Sequence, residues 1–269
     1  MSYLGAIQTM RIIYPLNPLR RDEADEPYQQ EFMLVKKLGM NCSLFDFDVL
    51  EFDEFEVKPS ITDGEDILYR GWMLSPKNYQ RLLMFIKKNG GNPITSYDNY
   101  IQCHHLPSWY SKCVEYTAET FFFADDSMLE DNILNLDWDA YFVKDYVKSN
   151  STERGSIAFT AVEVLEIVAL IKKYRGEIEG GIAIRRVEDY QPESEVRYFI
   201  FNGIAYSPND NIPTIVQDIS KIINAPFYSV DLIKRGDGVY RLVELGDGQV
   251  SDKKTWDIEV FIKMLNSAA

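Results

Sequence analysis

The sequence predicts an α/β N-terminal domain followed by an α+β domain of antiparallel sheets with helices. Three observations carry this. Strand-like and helix-like segments alternate over residues 10–97. Strand patterns become closely spaced after residue 138, and a Gly236-Asp237-Gly238 turn joins two of the last ones as a hairpin. At 269 residues the chain has length for one large domain or two modest ones.

The elements follow in order. Residues 10–18 (MRIIYPLNP) read as a buried strand stopped by prolines. After the charged run RRDEADEP, a helical pattern over residues 28–38 ends at Gly39, and residues 42–50 alternate as a second strand. DILYRGW (66–72) is a third strand, residues 76–88 are a helix with Ser75 as N-cap and Gly90-Gly91 as its stop, and 93–97 is a short strand. Residues 1–97 are thus one α/β domain and 98–137, where periodicity is poor, a mostly helical connection. From 138 to 269 lies the second domain: a strand at 140–147, a polar loop at 148–156, and an amphipathic helix at 160–174 ended by Gly176. Strands at 180–187 and 195–203, a helix at 212–223, and strands at 227–235 and 239–245 complete the pattern.

Composition narrows the function classes. With 42 acidic against 28 basic residues the formal charge is -14, which repels nucleic acid but leaves room for a small anion in a locally cationic cleft. The cysteines Cys42, Cys103 and Cys113 form neither an even disulfide framework nor a close-spaced zinc pattern, so a reducing cytoplasm is expected. The start MSYLGAIQTMR has no signal-peptide pattern and no apolar run is long enough to span a membrane, so no membrane partner is expected.

The residues that could carry chemistry lie mostly in the second domain. About a turn centred between Asp237 and Gly238, a simple register sets Asp231 opposite Glu244 on one sheet face. Like charges so placed destabilise a sheet unless a cation bridges them, and magnesium shared with substrate phosphates is one such cation. Two carboxylates pointing into solvent, or a bulge that breaks the register, are the plainer readings. Lys144 interrupts the apolar strand YFVKDYV; it suits a phosphate, or snorkels from an edge strand. Lys148 and Arg154 bracket the polar loop, which closes over a nucleotide or is simply solvated. Glu195 and Arg197 alternate on EVRYFIF and share a face, as a surface ion pair or a phosphate clamp. Arg70 ends a strand where a parallel sheet opens its cleft, a candidate for holding a carboxylate substrate or an ordinary surface arginine. His104 and His105 lack a third partner at metal or catalytic spacing.

The order of a strand lysine, a loop, a helix, GGIAIRRV, EVRYFIFNG, and then the VD and VEL strands resembles the ATP-grasp superfamily. LVELGDGQVSD is similar to the clade named for one arginine and two lysines, and the resemblance covers residues 138–253. It implies an ATP-grasp nucleotide-binding domain over 138–269, preceded by a domain that matches the family's N-terminal unit in rhythm. By this resemblance Lys144 and Lys148 contact phosphates, and Ile184, Arg185, Arg186 and Val187 form the adenine hinge. Arg197 stands near the transferred phosphate with Glu195 beside it, and Asp231 and Glu244 hold magnesium. Many members carry Asn two residues after that Glu; here the position is Gly246, so the amide ligand is missing and Asp247 is the substitute ligand. The implied function is an ATP- and Mg2+-dependent ligase that joins a carboxylate to an amine through an acylphosphate, on a small amino compound, a peptide or a protein. The alternatives are a non-catalytic ATP-grasp protein that binds nucleotide or partners and, ranked lower, a kinase acting on an alcohol.

Overall fold

The structure is a computed structural model that describes residues 10–52, 55–127, 129–148, 153–175 and 178–267. The start at 1–9, the centre of the polar loop at 149–152 and the expected helix stop Gly176 lie outside the described residues.

The N-terminal unit runs β1 (Met10–Pro15), α1 (Gln29–Lys37), β2 (Asn41–Phe45), β3 (Val57–Lys58), β4 (Asp66–Tyr69), α2 (Pro76–Lys88) and β5 (Asn92–Pro93). Its sheet has the order β3-β2-β1-β4-β5, parallel except at the edge strand β3. β1 is apolar along most of its length because both faces are covered, as parallel sheets require. Ile12 and Tyr14 pack on the α1 side, and Ile13 packs with Leu82 and Ile86 of α2. The expected cap of α2 is present, with Ser75 Oγ accepting the Asn78 amide at 3.3 Å.

The connection holds α3 (Tyr97–His104), α4 (Leu106–Cys113), β6 (Thr120–Phe123) and α5 (Leu129–Ile133). It is thus not only helical. TFFF is a strand because its partner, β9, supplies the pairing that the local pattern does not announce. Next come β7 (Tyr141–Asp145), β8 (Ile157–Ala158), α6 (Ala161–Arg175) and β9 (Ile182–Arg186). With β6 they form an antiparallel hinge sheet, β6-β9-β7-β8. One face of it, Val143, Ile182 and Ile184, packs on Val164, Ile167 and Val168 of α6.

The last section comprises β10 (Tyr190–Phe201), β11 (Ile204–Tyr206), α7 (Thr214–Ile222), β12 (Phe227–Arg235), β13 (Tyr240–Asp247) and α8 (Ile258–Ser267). Its strands make a hairpin sheet of order β11-β10-β12-β13. Alternation along the strands sends Phe199, Phe201 and Phe227 towards the N-terminal unit, and Tyr198, Ile200 and Val230 towards α4 and α7. No element is expected from the sequence after residue 245. There α8 buries Phe261, Ile262, Met264 and Leu265 against β1 and the hairpin sheet, a helical stripe in a shared core. Among the described residues no helix is long and apolar enough to cross a membrane.

Two features tie the halves together around one cavity. The segment after β13 docks at the C-terminal edge of β4, with the Gly71 amide donating to the Gln249 carbonyl at 3.2 Å and the Tyr69 amide to Gln249 Oε1 at 3.3 Å. Arg70 extends into the same segment. A cavity of about 500 Å³ opens beside it, lined among others by Tyr28, Trp72, His104, Lys148, Arg197 and Glu244.

Candidate functional site

The register of the hairpin decides which side chains meet. The turn is centred on Asp237: the Arg235 amide donates to the Val239 carbonyl at 2.9 Å and the Gly238 amide to the Arg235 carbonyl at 2.8 Å. Continued unbroken, that register would set Asp231 opposite Val243. A bulge intervenes between Asp231 and Leu232, so that Leu232 pairs with Leu242 and Asp231 with Glu244, and Val243 is the extra residue. The two carboxylates therefore do face each other, by a longer turn corrected by a bulge rather than by one simple register. Arg185 stabilises the bulge: its guanidinium donates to the freed Val243 carbonyl at 2.7 Å and to Thr117 Oγ1 at 2.5 Å.

Lys144 projects from β7 across to this strand. Its ammonium donates to Glu244 Oε1 at 2.6 Å, joining the hinge sheet to the hairpin sheet. The Lys144 side chain is 6% exposed and Glu244 37%, so the lysine is tolerated on an apolar strand because a carboxylate meets it, and that carboxylate opens to the cavity.

Beside this pair, Arg197 Nε and Nη2 grip Asp231 Oδ1 and Oδ2 at 2.8 and 2.7 Å, the planar bidentate pairing that suits a guanidinium. Arg197 Nη1 reaches Asp252 Oδ1 at 2.7 Å. Lys254 donates to Asp231 Oδ2 at 2.9 Å and to Glu195. Burial alone would raise the Asp231 carboxyl, but the Arg197 hydrogen bonds and the charges of Arg197 and Lys254 outweigh it and hold the group below the ordinary range.

Lys148 lies at the end of a turn pinned by buried Asp145, whose Oδ1 accepts the amides of Val147 at 2.8 Å and of Lys148 at 2.6 Å. The turn brings Lys148 to the cavity that Arg197 and Glu244 also line. Arg154 turns elsewhere, to the Ile157 carbonyl at 2.7 Å and Glu163 at 3.2 Å. In the expected hinge, Ile184 is fully buried against α6, and the Arg186 and Val187 amides donate to the Glu119 and Ala140 carbonyls at 2.8 and 3.2 Å.

Two further residues border the same cavity but make no bond to the Lys144 group. Asp247 falls on the opposite face of β13 from Glu244 and is fully buried; its Oδ1 accepts from the Gln249 amide and side chain at 3.0 Å each, and its Oδ2 has no partner among the described residues. Arg70 is 1% exposed, paired with Glu31 at 2.8 and 3.2 Å and bonded to the carbonyls of Gly248, Gln249 and Ser251. Its guanidinium holds the chain together at the cavity wall. His104 also lines the cavity; burial lowers its imidazole to about 4, and its ring stacks on Tyr100. His105 lies 3.4 Å from Glu179.

Sequence reasoning missed Lys254, Asp252, Asp145 and Glu31. The basic pair Lys253-Lys254 just after LVELGDGQVSD was the available signal for the first of these.

The donor set fits a magnesium-bound polyphosphate. Lys148 and Arg197 present positive charge and Glu244 a part-exposed carboxylate at one cavity, and the buried Lys144 stands directly behind Glu244. Among the described residues no group of three or more His, Cys, Asp or Glu could hold an ion.

A family model matches residues 135–265; it describes an ATP-grasp domain, the third family of the clade named for one arginine and two lysines. No curated protein matches the chain. Among solved structures, it superposes on a D-alanine-D-alanine ligase from Coxiella burnetii with TM-score 0.64 at 9% identity, over 97% of this chain and 90% of that one. D-cycloserine synthetase DcsG gives 0.60 at 10% identity, over 95% and 99%. The ATP-grasp ligase PsnB, in complex with a phosphomimetic variant of its minimal precursor, Mg and ADP, gives 0.58 at 11% identity, over 99% of each chain. At such identities the likeness is one of fold, and it spans both halves of the molecule.

Proposed function

We propose, from the match of residues 135–265 to the model of an ATP-grasp domain of the clade named for one arginine and two lysines, that the chain is an ATP-dependent ligase joining a carboxylate to an amine through an acylphosphate. The observation that carries the reading is the meeting of Lys144 with Glu244 across two sheets and of Arg197 with Asp231 beside them, with Glu244 and Arg197 lining one cavity. A buried ammonium, a bidentate guanidinium and carboxylates held so closely are costly to fold. A triphosphate with its magnesium would use them all.

In this reading Lys144 and Lys148 contact the phosphate chain, and the backbone from Ile184 to Val187 borders the base. Glu244, beside Asp231, would hold the magnesium, which would supply neutralisation of phosphate charge. The substrate carboxylate attacks the terminal phosphorus, the bond to the bridging oxygen breaks and ADP leaves. Arg197 stabilises the charge on the phosphoryl oxygens. The amine nitrogen then attacks the acyl carbon, phosphate departs with its oxygen, and the nitrogen loses a proton. Alignment supplies much of the acceleration, and no protein nucleophile is required. Asp247, turned to the other face, has no place as an ion ligand here. Substrates enter by the cavity between the N-terminal unit and the hairpin sheet, whose Tyr28 and Trp72 wall suits an amino compound or the end of a peptide. The division into a unit over 1–97, a connection over 98–137 and a nucleotide-binding domain over 138–269, in a cytoplasmic setting where MgATP is available, belongs to the same proposal.

The test combines calorimetry with ATP and magnesium and an ADP-release assay over carboxylate and amine mixtures. Lys144→Ala and Glu244→Ala should each lower turnover by about 10²-fold or more. Turnover unchanged in either variant would sink the assignment. Nucleotide binding with no ADP release under any mixture would favour a non-catalytic nucleotide-binding protein.

A further inference from the structure

We propose that the Lys254 ammonium occupies the place of a divalent cation at Asp231, so that the site takes a single divalent ion, on the Glu244 side. The inference rests on the ATP-grasp reading of the site. Asp231 is 3% exposed and both of its oxygens are already engaged, Oδ1 by Arg197 Nε, and Oδ2 by Arg197 Nη2 at 2.7 Å and Lys254 Nζ at 2.9 Å. A metal ion on Asp231 would have to displace one of these donors while standing against two fixed positive charges.

The lysine is anchored. Its backbone adopts a left-handed φ of 43°, which a lysine rarely takes, and its amide donates to Asp252 Oδ1 at 3.1 Å. Arg197 binds the same Asp252 through side chain and carbonyl, and the Trp256 indole N–H returns to the Arg197 carbonyl at 2.8 Å from within the Phe199–Phe261 core. Glu195 takes the other side of the ammonium. The segment 252–256 thus delivers one positive charge to a fixed point.

The neighbouring position has no ligand to hold an ion there. A Cβ on Gly246 would lie 2.7 Å from Ser251 Oγ and 2.8 Å from Ser229 Oγ, two hydroxyls that bond each other at 2.8 Å. No amide side chain can enter between them. What remains for a metal is Glu244, partly exposed and bonded to Lys144 through Oε1.

The measurement is a count of Mn2+ bound per bound AMP-PNP, by electron paramagnetic resonance of free Mn2+, with nucleotide binding followed separately by calorimetry. Wild type should hold one ion per nucleotide. Lys254→Ala, and Lys254→Gln, which keeps the stem but not the charge, should each gain a second, weaker ion, while Lys254→Arg should stay at one. Two ions in wild type, or one in every variant, would overturn the inference and leave the ligase reading standing. Absence of AMP-PNP binding would instead remove the reading on which it rests.

Discussion

Two buried aspartates in the same hairpin have opposite electrostatics. Asp231 is held below the ordinary carboxylate range despite burial, because Arg197 and Lys254 stabilise its charge; its stabilising contribution is present at neutral pH and lost as pH falls through its lowered folded value. Asp247 has no such cation bonded to it. Burial pushes it up to about 7, against the opposing hydrogen bonds from Gln249. The folded state therefore holds the Asp247 proton more tightly than the unfolded chain, whose ordinary value is 3.8. Its contribution to stability is greatest below that value, declines as pH rises towards about 7, and is flat above. Within that window the loss is about 1.4 kcal/mol per pH unit at most. Asp247→Asn should remove this slope: in urea denaturation at a series of pH values, the variant should gain on wild type from acid to neutral. Parallel pH profiles would show that Asp247 keeps its proton no better than an exposed carboxyl.

At the scale of the element, β13 is shaped by one extra residue and one missing side chain. The bulge at Val243 turns Glu244 onto the face of Asp231, and Arg185 binds the carbonyl that the bulge frees. A one-residue slip would send Glu244 to the other face. Gly246 lets the strand pass close to Ser229 and Ser251, where a methyl group would meet both hydroxyls inside 3 Å. Gly246→Ala should cost about 1–3 kcal/mol by overpacking, seen as a lowered thermal midpoint. Gly246→Asn should cost at least as much, and should not raise the number of ions bound. Adding Ser251→Gly to Gly246→Ala should recover part of the loss, since one of the two close contacts is then gone. A Gly246→Ala protein as stable as wild type would show that the strand has slack there.

At the scale of the whole molecule, Arg70 joins the N-terminal unit to the segment that follows the candidate metal ligand. It pairs with Glu31 and binds three carbonyls between Gly248 and Ser251, all with 1% of its surface exposed. Arg70→Ala would leave Glu31 buried without its cation, a change that costs about 3–5 kcal/mol. Arg70→Lys should also destabilise, because an ammonium cannot reproduce the planar fork. Chemical denaturation checks both. A stable Arg70→Ala protein whose turnover in the proposed ligase assay needs more of the carboxylate would restore the substrate role that the strand-end position suggests.

Local pattern made much of this molecule legible in the sequence. Apolar runs and capping residues marked β1, α2 and β4, and the two glycines about Asp237 marked the hairpin, because these signals act between residues close in the chain. The likeness of residues 138–253 to the ATP-grasp superfamily points to Lys144, Arg197, Asp231 and Glu244 from the sequence alone. The strand at Thr120–Phe123 and the positions of Lys254, Asp252 and Glu31 were not legible, since each is fixed by partners far along the chain. The same holds for the bulge, which only strand pairing reveals, and for Arg70, whose place at a strand end fitted a ligand site until the chain beyond β13 was seen to fill it. Sequence by itself determined which residues could bear charge and which segments could become strands. Tertiary packing alone decided which charges are buried against one another, because burial and long-range register are properties of the assembled sheets rather than of any stretch within them.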